Sequence, residues 1–428
     1  MKLIRTKGRG AREAAALVAK LEQRGGAALD AVIADVQRIV TAVRRQGDRA
    51  LLRYAARLDG LPGREALCVS REEMAAAWEA TSPALQQALR AAAEQVRGFA
   101  EKQMPQAWSD TGTAGLTRGQ VVRPLASVGC YVPSGRHPLP STLLMTAIPA
   151  QVAGVGRIVV VSPKPAKETL ATAHLLGISE FYRVGGAHAI AALAYGTESV
   201  ARVDKIAGPG NLYVTAAKRL VAFDCAIDML AGPTEIVVTS ETGDAEGIAC
   251  DLIAQAEHDP ETFAALITTR EELARAVMAE VKRRVGANSI AREALGRNGW
   301  AIVAASAEEA RELTNRLAPE HLTVDTRADL EWVRNAGSVF VGHWSAQPMG
   351  DYISGPNHTL PTGGMARVRG GLSVNDFIKL VTFQEYTRDG LGVLGPQAAL
   401  LADAEGLPGH AESIRMRLAR GRSGKRNG

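Results

Sequence analysis

The stretch Asp251-Leu-Ile-Ala-Gln-Ala-Glu-His-Asp-Pro260 places a Gln and a His where one metal ion can hold both. Gln255 and His258 are three residues apart, and on a helix that spacing puts them on one face, a turn apart. Pro260 would end the helix and leave His258 in its last turn. Two donors do not close a zinc site. Three later stretches offer more: Ala318–Leu322 with Glu320 and His321, Gly350–His358 with Asp351, and Glu405–His410. Of the eight histidines, His174 and His343 lack an ionisable companion at useful spacing and read as structural or exposed, whereas His258, His321, His358 and His410 each sit beside a polar or acidic residue in a turn-like context. A lone histidine is usually structural; four in such settings point to a site.

These groups need a scaffold that brings distant segments together. Residues 11–104 read as helices, with apolar positions at three-to-four spacing through 31–43 and 85–99. From about residue 120 short β-rich runs appear at 127–132, 157–162, 181–184, 226–229, 235–239, 264–268, 301–305, 322–324 and 338–341. Helical stretches such as 165–176 and 270–285 separate many of them, the pattern of parallel sheets with crossover helices and an α/β class. After Phe377 the strand signal stops, and the remainder reads as helical, too small to bury a core of its own and expected to pack on the body or on a second subunit. A literal GxGxxG at Gly390–Gly395 follows polar residues rather than a buried strand and has too little chain after it for a dinucleotide fold. Better phosphate turns are Gly129–Arg136, which leads into a helix over 141–153, Val184–Ala187 and Ala207–Asn211, each after a short apolar run.

Composition excludes several classes. Apolar content of 46% and charged content of 22% are those of a globular protein, and 428 residues predict two or three domains. Aromatics at 4% are too few for a nucleic-acid stacking platform. The net charge of +5 is local: residues 415–428 carry six Arg or Lys and no acid, so the rest is close to neutral, and the tail from Gly421 reads as a solvated, mobile terminus. Cys68, Cys130, Cys225 and Cys250 are too scattered for a ribbon or redox motif and fit a reducing cytoplasm. The N-terminus has no apolar signal core, and no run of about 18 apolar residues occurs anywhere. Neither a nucleic acid nor a membrane is expected as a partner.

The motifs Gly129-Cys-Tyr-Val-Pro-Ser-Gly-Arg-His-Pro-Leu-Pro-Ser-Thr142, Lys205-Ile-Ala-Gly-Pro-Gly-Asn211, Ile227–Glu235, Gln255-Ala-Glu-His258, Ala318-Pro-Glu-His-Leu322, Gly350–Thr362 and Ala404–His410 closely resemble the histidinol dehydrogenase family, nearly end to end and in the family's order and spacing. The resemblance implies a zinc- and NAD-dependent oxidation of L-histidinol through L-histidinaldehyde to L-histidine, with two NAD per turnover and one zinc per subunit. It implies two incomplete Rossmann-like domains with twisted parallel sheets and a helical C-terminal tail exchanged in a homodimer. The corresponding boundaries are an N-terminal segment 1–25, a zinc and substrate domain of 26–119 with 233–376, an NAD domain 120–232, and a tail 377–428. Carried over by position, the zinc ligands are Gln255, His258, Asp351 and His410. Two imidazoles, a carboxylate and an amide oxygen are acceptable to zinc. His321 matches the general base and Glu320 the water activator. Thr234, His358 and Glu405, with the zinc ligands and His321, match substrate contacts; Tyr131, His188 and Asn211 match NAD contacts. Thr234 stands where Ser is common and keeps the hydroxyl. His188 stands where Gln is common and adds a group that titrates.

Four alternatives compete with this reading. A thiohemiacetal route needs an activated cysteine, and neither Cys130 nor Cys250 has a neighbouring base, so activated water is preferred. A dehydrogenase of the same superfamily acting on another polar alcohol, such as a sulfonated diol, would share most motifs. A zinc hydrolase using Glu320 or Glu257 would leave three nucleotide-like turns without purpose. A nucleic-acid-binding protein is supported by the tail alone.

Overall fold

The computed structural model describes residues 1–24, 27–113, 115–134 and 138–423. The chain divides into two units: Met1–Gln103 with Leu125–Phe377, and Met104–Pro124 with Ile378–Gly428.

The first unit opens on a strand, β1 (Lys2–Arg5), followed by helices that continue to Lys102. Apolar spacing builds them: Val36, Val40 and Val43 form one buried face of Ile33–Gln46, and Leu89, Ala92, Val96 and Ala100 form one face of Pro83–Lys102. Ser70 and Ser82 cap the helices that follow them by accepting backbone amides of Glu73 and Leu85. Strands β2 (Trp108–Thr113) and β3 (Leu116–Pro124) belong to the second unit.

Back in the first unit, β4 (Ser127–Tyr131), β5 (Arg157–Val161), β6 (Glu180–Tyr182), β7 (Lys205–Ala207) and β8 (Ala226–Ile227) form a parallel sheet ordered β6-β5-β4-β7-β8. A second parallel sheet holds β9 (Glu235–Thr239), β10 (Phe263–Thr268), β11 (Gly299–Val303), β12 (His321–Val324) and β13 (Ser338–Val341), ordered β11-β10-β9-β12-β13 with β1 beside β11. Central strands are buried along their length, as Val159–Val161 and Ala264–Ile267 are, which is why they read as continuous apolar runs. With β1 left aside, and counted in the order the chain lays them down, the strands of both sheets run 3-2-1-4-5. The order therefore reverses between β4 and β7 in one sheet and between β9 and β12 in the other.

The helix Pro140–Ala153 is buried on every side through Ser141–Ala150. It starts beyond the loop after β4 and carries Thr142 to His358, whose Nε2 lies 3.3 Å from the threonine hydroxyl.

The second unit is a three-stranded antiparallel sheet in which β14 (Ile378–Tyr386) pairs with β3 over nine positions and β2 pairs with the other edge of β3; the helices Arg388–Ala404 and Pro408–Ser423 follow. The purely helical tail expected after Phe377 is thus corrected. Eight of the nine residues of β14 are exposed, so no apolar alternation marks the strand; only the β-forming run Leu380-Val-Thr-Phe383 hints at it.

Two expected boundaries also shift. Residues 1–25 are not a separate segment: β1 is a strand of the second sheet, and Ala14 and Val18 lie in its core. Helices Ile33–Gln46 and Asp48–Tyr54, expected beside the zinc and substrate half, contribute Val36, Val40, Val43 and Leu51 to the core of the first sheet. Apolar periodicity says which face of a helix is buried, not against which sheet. The sequence GxGxxG lies inside the helix Arg388–Ala404 and forms no nucleotide turn. The last helix extends past Gly421, where a solvated tail was expected; residues 424–428 lie outside the described residues.

Candidate active site

Four side chains converge at the amino ends of β9 and β12. Gln255 lies in the last turn of the helix Ala245–Ala256, which returns after β9, and its Nε2 donates to the Thr234 hydroxyl. That hydroxyl donates in turn to Glu320 Oε2 at 2.6 Å. Glu320 Oε2 also accepts the backbone N–H of Glu235 at 2.8 Å. His321, the first residue of β12, is buried, with Nδ1 2.9 Å from the Glu235 carbonyl. A carbonyl can only accept, so Nδ1 carries the proton in the neutral ring and Nε2 keeps its lone pair.

His321 Nε2 lies 3.9 Å from Asp351 Oδ1, and His358 Nδ1 bonds the Asp351 carbonyl at 2.9 Å. His321, Asp351 and His358 line a cavity of about 430 Å³ with Phe340, Trp344 and Asn357. Phe340 stacks on the His321 ring at 6.1 Å, and Trp344 is almost wholly exposed beside it. A space of this size suits a small ligand held by a few polar groups against apolar walls.

Burial sets the electrostatics. It pushes the Glu320 carboxyl well above the ordinary carboxylate range, against the hydrogen bonds from Thr234 and the Glu235 amide. It lowers the imidazoles of His321 and His358, with Asp351 pulling each back up. A carboxyl made reluctant to ionise and an imidazole kept neutral are thus two buried, adjacent proton-handling groups of different strength.

His258 is not within the helix as expected: the helix ends at Ala256, Glu257 caps it, and His258 lies just beyond, exposed, with its N–H on the Gln255 carbonyl at 3.3 Å. The thiol alternative loses ground, since Cys130 is fully buried and its thiol is pushed up to about 12 by burial. Gln255 Oε1 is buried and has no hydrogen-bond partner. An orphaned amide oxygen of this kind is costly unless a ligand completes it, and it is the right donor for a metal that also takes imidazole and carboxylate. Among the described residues no three His, Cys, Asp or Glu side chains gather closely enough to hold a metal by themselves. Gln255, outside those residue types, would have to contribute.

The expected cofactor residues lie at the carboxyl ends of the first sheet. Tyr131 ends β4, and its hydroxyl accepts the Gly186 N–H at 3.1 Å. Gly208, just after β7, has φ +116°, and a Cβ there would stand 2.2 Å from the Tyr131 carbonyl oxygen, so only glycine fits. Asn211 is exposed and caps the helix Leu212–Val221 through Oδ1. His188 is fully buried with Nε2 2.7 Å from Asp59 Oδ2, and its Nδ1 has no partner. Gly135 and Arg136 of the turn after β4 lie outside the described residues. In the second unit, Glu405 and His410 are both exposed, at the end of one helix and the start of the next.

Three contributors escaped the sequence: Thr142 against His358, Glu235 through its backbone, and Arg24 bound to Glu235. Thr142 and Glu235 stand inside recognised motifs, but nothing in their types announces the contact.

Fold and site together define an α/β enzyme with glycine turns at the carboxyl ends of one parallel sheet and a buried acid–base cluster at the amino ends of another. A sequence model of the family described as Histidinol dehydrogenase matches residues 22–418. The histidinol dehydrogenase of Methanothermobacter thermautotrophicus is 45% identical over 418 residues, covering 94% of this chain and 97% of that protein. That of Syntrophotalea carbinolica is 44% identical, covering 92% and 96%. Among solved structures, the histidinol dehydrogenase of Elizabethkingia anophelis superposes with a TM-score of 0.91 at 35% identity over 98% of each chain. The chain belongs to the histidinol dehydrogenase family, and as a member it is an NAD-dependent oxidoreductase.

Proposed function

We propose that this chain oxidises L-histidinol through L-histidinaldehyde to L-histidine, the last steps of histidine biosynthesis, in a zinc- and NAD-dependent four-electron reaction. The observation that carries the reading is Gln255: its buried Oε1 is unpartnered while its Nε2 donates to Thr234, which donates in turn to Glu320. Gln255, His258, Asp351 and His410 of the partner subunit would hold the metal. Tyr131, His188 and Asn211 would border NAD, in support of which the 3-2-1-4-5 order of the first sheet is that of the first five strands of a dinucleotide fold, with Tyr131 and the Gly208 turn at its switch point. When bound, zinc supplies an anchor for the substrate's imidazole and amino nitrogens and NAD supplies the hydride acceptor; no side chain offers either.

The chain's own residues move the protons. His321 Nε2 takes the alcohol proton, while the Glu235 carbonyl holds Nδ1–H and keeps the ring in the tautomer with a free base. Both hydrogen bonds to Glu320 fall on Oε2, which leaves Oε1 to take a proton from the water that attacks the aldehyde carbon. Two adjacent residues thus perform two tasks: Glu320 Oε2 and His321 Nδ1 lie 3.6 Å apart, while Glu320 Oε1 and His321 Nε2 are left for the reaction. Thr234, His358 and the partner subunit's Glu405 complete the substrate pocket. Exposed Glu405 and His410, with Leu400 and Leu401 bare on the helix before them, support a homodimer in which the second unit of one chain serves the first unit of the other. Among the described residues no helix is long and apolar enough to cross a membrane.

The test is metal analysis of the purified protein combined with NADH formed per histidinol consumed. One zinc per chain and two NADH per histidinol are expected. No NADH from histidinol, with turnover of dihydroxypropanesulfonate, would move the chain to another polar alcohol.

A further inference from the structure

The two proton-handling residues, Glu320 and His321, both hang from the backbone of one residue. The N–H of Glu235 holds Glu320, and its carbonyl holds His321 Nδ1. The side chain of Glu235 points away from them into a buried ion pair: Arg24 Nε and Nη2 each reach a carboxylate oxygen at 2.7 Å, and the Gly363 N–H bonds Oε1 at 2.8 Å. The same guanidinium donates to the Leu317 carbonyl at 2.6 Å and the Leu21 carbonyl at 2.7 Å, and lies over the Phe263 ring at 5.4 Å. Leu317 is three residues before Glu320, and between them Ala318 has φ +45°, a left-handed conformation that a residue with a Cβ holds only when its surroundings impose it.

We infer that Arg24 and Glu235 are positioning residues for the Glu320–His321 pair, and that the segment ahead of the first sheet thereby forms part of the catalytic apparatus; the inference rests on the roles given to Glu320 and His321 above. One planar fork fixes the acceptor of both hydrogen bonds and, through Leu317, the strained turn that delivers Glu320. A buried ion pair is weak grounds for stability, since an apolar pair of similar volume often does as well. Its value here is geometric. Glu235 sits at the first position of β9, where β10 is already paired through Phe263 but the register with β12 begins only at Ile236, so on that side its N–H and carbonyl meet Glu320 and His321.

The test uses the zinc-loaded enzyme in the variants Arg24→Met, Arg24→Lys and Arg24→Met with Glu235→Met. The double variant avoids leaving a lone buried charge and so keeps the fold. Because a displacement of about 1 Å at a reacting group costs roughly a hundredfold, Arg24→Met and the double variant should lose kcat on that scale, with zinc content and the KM for histidinol close to wild type. Arg24→Lys should recover only part of the loss, since a point charge cannot span both carboxylate oxygens. With 15N-labelled histidine, the His321 ring should change from a single Nδ1–H form to a mixture in the double variant. Wild-type kcat in the folded double variant would overturn the inference, as would a loss of kcat with unchanged His321 signals. Glu320→Gln and His321→Gln separate this from the parent reading: if they leave turnover intact, the assignment of the pair fails; if they abolish it while the Arg24 variants do not, only the positioning role fails.

Discussion

At the carboxyl ends of β4 and β7 the first sheet presents Tyr131, the Gly208 turn and a helix start capped by Asn211, while the equivalent ends of β9 and β12 in the second sheet are closed from within. There Asp325, immediately after β12, accepts the Ser240 hydroxyl at 2.5 Å and the backbone amides of Glu241 and Thr242 at 2.7 and 3.0 Å. Amides in such a turn are what a phosphate would use; here a carboxylate of the chain has taken them, whereas in the first sheet Asp59 and Asp228 take one amide each, those of Gly185 and Gly208. The second sheet instead gathers Thr234, Glu320 and His321 at its amino ends. On the proposed function, two sheets with one strand order serve opposite purposes, and the side chains at their ends make the difference. Strand order alone assigns no function.

The sharpest way to break this contrast is His321→Gln. If the amino ends of the second sheet do the chemistry, kcat falls by about a thousandfold, as expected for loss of a positioned base, while NADH affinity measured by fluorescence stays unchanged. Gly208→Ala probes the other sheet: its Cβ must push the end of β4, so NAD affinity should fall on the order of tenfold or more while kcat at saturating NAD changes little. Equal effects of both variants on NAD binding would dissolve the division. Asp325→Ala should cost about 2–3 kcal/mol in urea unfolding by stranding three donors, with no change in either KM. A large rise in the KM for NAD would mean that the closed end is not idle.

Glu320→Gln has a smaller effect on stability, and of opposite sign. Burial raises the folded-state pKa of Glu320 above its unfolded value, so its contribution is present at low pH and lost as pH rises through the folded pKa. In metal-free protein near pH 8 the variant should therefore be more stable than wild type by about 1–2 kcal/mol, a gain that disappears toward pH 4.5; in the zinc-loaded enzyme the yield should drop from two NADH per histidinol toward one. Thermal melts across that range check the sign. Smallest of all, Cys130→Ser and Cys250→Ser should keep most of the turnover, since burial holds the Cys130 thiol out of its reactive form; a loss beyond about a thousandfold would restore the thiohemiacetal route.

Much of this was legible in the chain. Nine strands were visible because burial on both faces leaves unbroken apolar runs, as in Val159–Val161 and Ile236–Val238. The two-residue pairing of β8 matched only the start of its run, and β14 was missed because nearly all its residues face outward. β1 and β7 were missed because a lysine opens each short strand and leaves only two apolar residues after it, and β2 and β3 because their polar, largely unburied residues show no apolar run. Spacing brought out Gln255 and His258 but misplaced the helix end by two residues, since Pro260 bounds a helix without fixing where it stops. Arg24 could not have been found: a charged residue beside two glycines looks like a solvated turn, and only the packed structure reveals its partner 211 positions away.

The pairing of β1 with β11 joins Lys2 to Trp300. On the ribosome the first strand to emerge must therefore wait until roughly 300 residues have followed it, a delay of tens of seconds at ordinary elongation rates. Throughout that interval β1 lacks its partner strand, and until Glu235 is made, 211 residues after Arg24, the arginine lacks its carboxylate. Synthesis speed and chaperone capture, rather than the stability of the finished enzyme, would then set how much of it is recovered from a cell.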